Sequence, residues 1–101
     1  NNLSDKWFQQ GEGQKIYTWL LKNAGNFGFC QPYSVKNEQR PDGYNEEKWH
    51  WSYFPIADPL LKKYEELVEY SHIQGFSGDN AAAKLDVINN YVLSISHECE
   101  K

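Results

Sequence analysis

Apolar residues recur at helical spacing in three stretches of this chain and crowd among aromatics in two others. Over residues 13–24, Ile16, Trp19, Leu20 and Ala24 fall on one face of a 3.6-residue repeat, and Gly25 follows as a stop signal. Residues 27–33, Phe27-Gly28-Phe29-Cys30-Gln31-Pro32-Tyr33, are short, aromatic and closed by proline, which predicts a strand. Residues 47–54 predict a second strand, because Trp49, Trp51 and Tyr53 alternate with Lys48, His50 and Ser52. Between the two lies a polar stretch with Pro41-Asp42-Gly43 as its turn. Asp58 then offers a cap and Pro59 a first helical residue, so a helix is predicted over 59–70. Its stripe is Leu60, Leu61, Tyr64, Leu67 and Val68, with Lys62, Lys63, Glu65, Glu66 and Glu69 outward. After a loop over 71–78, Asp79 can cap a last helix over 80–97, where Ala81, Leu85, Ile88, Val92 and Ile95 step by helical turns. The opening, Asn1 to Gln10, reads as a loop anchored by Trp7 and Phe8.

Three helices around a small antiparallel sheet make the expected fold class α+β. Two strands alone are marginal, so the sheet is expected to be completed by an upstream segment absent from this chain. The 101 residues suit a single domain, or the C-terminal part of one. The chain contains no Met and opens on Asn1, as a processed chain, an excised domain or a fragment would. No apolar run approaches the ~20 residues of a membrane-spanning helix, so no transmembrane segment is expected. Net charge is −4 and no basic stripe is visible, so nucleic acid is not an expected partner. Cys30 and Cys99 are too few for a disulfide framework; one bridge or two buried thiols both fit.

The chemistry-bearing residues concentrate in Gly43-Tyr44-Asn45-Glu46-Glu47-Lys48-Trp49-His50-Trp51-Ser52-Tyr53. Glu47 and His50 stand in an E-x-x-H spacing. In a regular strand, positions three apart face opposite ways, so the two share a site only if Glu47 lies in a bend before the strand. Neutral imidazole is a good Zn²⁺ ligand, and a carboxylate beside a metal-activated water can take its proton. The plainer alternative is that Trp49, Trp51 and Tyr53 pack a sheet face while His50 points elsewhere and the two glutamates are solvated. The aromatics could also form a sugar-stacking platform, although core packing is their commoner use.

From Trp19 to Tyr53 the chain resembles the VanY-type D-alanyl-D-alanine carboxypeptidases, zinc peptidases with relatives among phage endolysins. The resemblance rests on Trp19-Leu20 with Asn23-Ala24, Phe27-Gly28-Phe29, Tyr33, Gly43-Tyr44 and Glu47-Lys48-Trp49-His50-Trp51-Ser52-Tyr53. The family's last motif commonly reads Glu-Pro-Trp-His-Trp-Arg-Tyr, so Lys48 and Ser52 are departures. The resemblance implies that Glu47 is the general base, His50 a zinc ligand, and a peptidoglycan stem peptide the partner. It also implies a periplasmic or extracytoplasmic location. Glu46 is then expected to be a solvated surface charge.

The same resemblance implies two further zinc ligands, a His and an Asp from a motif of the type Ser-x-His-x-x-Gly-x-x-x-Asp. This sequence contains no such motif; Asn1-Asn2-Leu3 resembles the segment that follows the Asp. The family's substrate-binding Arg and Gln also lie upstream. A catalytic zinc typically takes three protein ligands, so these residues alone are expected to bind zinc weakly and turn over poorly. His72 and His97 are expected to serve surface or capping roles, and Asp42 and Asp79 turn and cap roles. Arg40 is expected to be an exposed loop residue, although a guanidinium there could reach a substrate carboxylate. Cys30 lacks the adjacent base a nucleophile needs. Two other functions remain open at this point: a non-catalytic cell-wall-binding module of the same fold, and an endolysin-like L-alanyl peptidase.

Overall fold

The computed structural model describes residues 4–100; the Asn1-Asn2-Leu3 reading lies outside them. The class is α+β, with helices around one two-stranded antiparallel sheet. Helices α1 (Asp5–Gln9) and α2 (Gly11–Asn23) come first, and a 3₁₀ turn over Ala24–Phe27 leads into β1 (Phe29–Cys30). A long loop then returns to β2 (Ser52–Tyr53), which runs directly into α3 (Phe54–Leu67). The C-terminal third holds α4 (Ala81–Lys84), a π-helical turn over Ile88–Val92 and a 3₁₀ turn over His97–Cys99. Among the described residues, no helix is long and apolar enough to cross a membrane.

Where a loop was expected, Asp5–Gln9 is helical. Trp7 and Phe8 do anchor it: Phe8 is buried and meets the Tyr17 ring of α2 edge-on at 6.0 Å. Helix α2 forms where predicted, with only part of the predicted face turned inward. Ala24 is buried and Leu20 half-buried as expected, but Ile16 and Trp19 stay exposed, with Trp19 stacked on Phe27, and Gly13 and Tyr17 are buried in their place. Tyr17 can turn inward because buried Gln31 accepts its hydroxyl at 2.6 Å.

Both strands are shorter than expected, two residues each against 27–33 and 47–54. Gly28 sits in the left-handed region at φ 86°, ends the 3₁₀ turn and sets the start of β1. The register pairs Phe29 with Tyr53 and Cys30 with Ser52. The Phe54 amide donates to the Gly28 carbonyl at 2.9 Å, tying the start of α3 to this sheet edge. That tie explains why α3 begins at Phe54, one turn before the Asp58-Pro59 signal. Pro55 lies in the first turn, where no amide donor is needed, so only Pro59 forgoes a helical bond. Asp58, read as a cap, is instead buried within the helix and accepts from Lys62 Nζ at 2.8 Å. Leu60 and Leu67 of the predicted stripe are exposed.

The single helix expected over 80–97 is broken. Asp86 has φ 48°, outside the helical region, and Asn89, Asn90 and Ser94 follow it, all weak helix formers. Asp79 does not cap α4; its carboxylate accepts from the Gly75 amide at 2.8 Å, and Asn80 holds the cap position. The break is held by the Tyr70 hydroxyl, which donates to the Asp86 carboxylate and accepts from the Ile88 amide at 3.2 Å. That bond from Tyr70, aided by Asn89, keeps the Asp86 carboxyl below its ordinary value of 3.8. A lowered pKa adds stability above the unfolded value, and this is lost as pH falls through the lowered one. Acidification below about pH 4 is therefore expected to loosen residues 70–90 in the wild type. An Asp86→Asn variant should show a weaker acid dependence in amide hydrogen exchange; identical profiles would refute this role.

Cys30 and Cys99 form a disulfide with Cα atoms 5.5 Å apart, which settles the two open readings of these residues. Phe8, Tyr17, Ala24, Cys30, Ile88 and Cys99 make up the buried core, together with the polar Gln31, Arg40 and Asp58. The bridge ties β1 to the end of the chain, and this arrangement frames the candidate site.

Candidate active site

Glu47 and His50 occupy the ends of a tight turn that precedes β2. The His50 amide donates to the Glu47 carbonyl at 3.1 Å, which folds the E-x-x-H segment back on itself. Side chains that a straight strand would send to opposite faces thereby meet: His50 Nδ1 lies 3.0 Å from Glu47 Oε1. The carboxylate side chain is 24% exposed and the imidazole 38%, so the pair is shielded yet open to small molecules. Glu47 Oε2 has no hydrogen-bond partner among the described residues.

The turn is held from the segment that follows β1. The Glu47 amide donates to the Tyr33 carbonyl at 2.9 Å. Gln31, 5% exposed, donates from Nε2 to the carbonyls of Tyr33 (3.1 Å) and Glu47 (3.3 Å) while its Oε1 accepts from Tyr17. One buried amide, just after β1, thus joins α2, the Tyr33 backbone and the backbone of Glu47. Trp51 closes the other side, donating from Nε1 to the Lys48 carbonyl at 3.0 Å and meeting the Tyr17 ring edge-on.

Aromatic rings fix the imidazole. Trp49 stacks on His50 with ring centres 5.6 Å apart, and Tyr33 meets it edge-on at 5.2 Å. Of the three alternating aromatics, Trp51 is half-buried while Trp49 and Tyr53 stay exposed. Burial raises the Tyr33 pKa first, and Tyr44 and Glu47 raise it further against a lowering by Arg40, so its hydroxyl stays neutral at physiological pH. Glu46 is half-buried rather than fully solvated. After burial itself, its charge is the main cause raising the Tyr17 pKa.

Arg40 corrects the sequence reading most sharply. It is 2% exposed, not an exposed loop residue. Its guanidinium donates to the carbonyls of Ser34, Asp42 (3.1 Å) and Ser94 (3.5 Å) and lies 6.0 Å from the Tyr33 ring centre. It is a buried tie for the 34–42 loop, committed to backbone oxygens rather than to a ligand. Asp42 takes part through its carbonyl, which also accepts from Ser94 Oγ at 3.0 Å. His72 accepts from the Glu69 amide and caps its own 3₁₀ turn, and His97 pairs with Glu100 at 3.3 Å on the surface. Neither is brought to His50 as a ligand, and no group of three or more His, Cys, Asp or Glu side chains comes together among the described residues.

Sequence reasoning missed Gln31 and Arg40 as site supports and gave Tyr33 and Tyr44 no physical role. Proline following Gln31 in a strand-like run hinted at a bent, buried segment; nothing local hinted at Arg40.

A family model described as VanY, D-alanyl-D-alanine carboxypeptidase, matches residues 2–56, just over half of the chain, and this span contains the whole Glu47–His50 turn. No curated protein and no solved structure gives a significant match. A carboxylate and an imidazole locked together by a turn, inside a segment that fits this model, make the chain a member of the VanY family of D-alanyl-D-alanine carboxypeptidases.

Proposed function

We propose that this protein is a zinc-dependent D,D-carboxypeptidase that removes the terminal D-alanine from peptidoglycan stem peptides, with Glu47 as general base and His50 as a zinc ligand. The observation that carries the reading is the 3.0 Å contact between His50 Nδ1 and Glu47 Oε1 within the family-matched span. A hydrogen on Nδ1 shared with the carboxylate leaves Nε2 as a lone-pair donor, the tautomer a metal requires. Among the described residues the donor set fits zinc in kind but not in number. We infer that a His and an Asp from a polypeptide segment outside residues 4–100 complete it.

Zinc bound there would polarise the scissile carbonyl and acidify the attacking water. Glu47 acts through two oxygens. Oε1 orients the imidazole, and Oε2 takes the proton from the water and returns it to the departing D-alanine amine. Tyr33 and Trp49 hold the imidazole plane and exclude water from one side of it. The Cys30–Cys99 bridge supports an oxidising, extracytoplasmic location, where peptidoglycan lies.

The test is metal content and product identity in the full-length protein. Elemental analysis should find one zinc per chain, and His50→Ala should lose it on dialysis. Mass spectrometry of digested muropeptides should show loss of a terminal D-alanine. Internal cleavage after L-alanine would make the protein an endolysin-like peptidase. Muropeptide binding with neither zinc nor cleavage would make it a wall-binding module.

A further inference from the structure

The family match ends at residue 56, yet part of the support for His50 comes from beyond it. Tyr33 meets His50 edge-on, Tyr44 meets Tyr33, and Tyr91 meets Tyr44, each pair of ring centres 5.2 Å apart. The rings form a continuous row from the C-terminal segment to the imidazole. The Tyr44 ring is 52% exposed and is met edge-on by both Tyr33 and Tyr91.

The segment that carries Tyr91 is itself fixed. The Ser96 amide donates to the Pro32 carbonyl at 2.8 Å, Ser94 Oγ reaches the Asp42 carbonyl, and Cys99 is bonded to Cys30. Arg40 joins the 34–42 loop to the Ser94 carbonyl. The packing leaves no slack: a Cβ on Gly43 would stand 3.0 Å from the Asn90 carbonyl oxygen. Residues 88–99 therefore lie across the loop as a strap, anchored at Ser94, Ser96 and Cys99.

We propose that Tyr91 is a positioning residue for His50, acting through Tyr44 and Tyr33, and that the strap is part of the working site. The proposal rests on the reading of His50 as a metal ligand. A ligand ring loses affinity for its metal when its supports are removed, because it must then be ordered at the moment of binding.

In the full-length protein, Tyr91→Ala is expected to weaken zinc retention in competition with a chelator by at most about 10-fold, the low end of the range for groups that touch a ligand directly. It should lower kcat with little change in KM. Tyr91→Phe, which keeps the ring edge, should restore both. In metal-free protein, nuclear Overhauser contacts between the Tyr33 and His50 rings should fade in Tyr91→Ala and persist in Tyr91→Phe. Should Tyr91→Ala not fold, Tyr91→Leu keeps the bulk without the ring and carries the same expectations. A folded Tyr91→Ala or Tyr91→Leu protein with wild-type zinc affinity, kcat and ring contacts would overturn the proposal. Failure of the metal reading looks different: His50→Ala would then keep its zinc, while the wild-type ring contacts still depended on Tyr91.

Discussion

Exchanging Glu47 for Gln is expected to lower turnover about 10²–10⁴-fold while zinc stays bound, the range set by losing a positioned general base. Gln keeps the size of the side chain and an oxygen that can accept from His50 Nδ1, so the imidazole is still oriented. It cannot take a proton from water. The backbone at this position is held by the Tyr33 carbonyl and by Gln31 Nε2, neither of which senses the change of side chain. Folding and metal content should match the wild type, and the loss should fall on kcat. Release of D-alanine from a synthetic stem peptide, measured beside zinc content, decides the matter. Wild-type release from Glu47→Gln would remove this residue from the mechanism.

The second large effect is on stability. The Cys30–Cys99 bridge closes a loop with a sequence separation of 69, and the chain-entropy treatment of such a loop gives about 4 kcal/mol of stabilisation. Small domains have only about 5–15 kcal/mol in total. A Cys30→Ser, Cys99→Ser double variant should therefore unfold at much lower urea concentration than the oxidised wild type, and reductant should move the wild type toward it. Coincident unfolding curves for the two proteins would show that the bridge constrains nothing. The effect should reach the site, because the bridge holds one end of the strap that carries Tyr91.

The parts of this molecule legible in its sequence are those whose causes are local. Helix α2 announces itself through periodicity, and the Glu47–His50 turn through an E-x-x-H spacing that makes sense only in a bend. What escaped has causes remote along the chain. Tyr17 faces inward because Gln31, fourteen positions away, accepts its hydroxyl. The start of α3 is moved one turn earlier by a bond to the Gly28 carbonyl, against the local Asp58-Pro59 signal. Arg40 stands in a polar run and reads as solvated, but its partners at Ser34, Asp42 and Ser94 assemble only after folding. The last helix is shorter than its apolar spacing predicts because Asn89, Asn90 and Ser94, between those positions, are weak helix formers.

The separation between the two bridged cysteines also sets an order of events during biogenesis. At a ribosomal pace of about 5–20 residues per second, Cys99 emerges roughly 3–14 s after Cys30. Throughout that interval Cys30 of the nascent polypeptide stays an unpaired thiol. The strap over residues 88–99 is thus latched only once residue 99 has met an oxidant, so the support it gives the Glu47–His50 turn is the last to form.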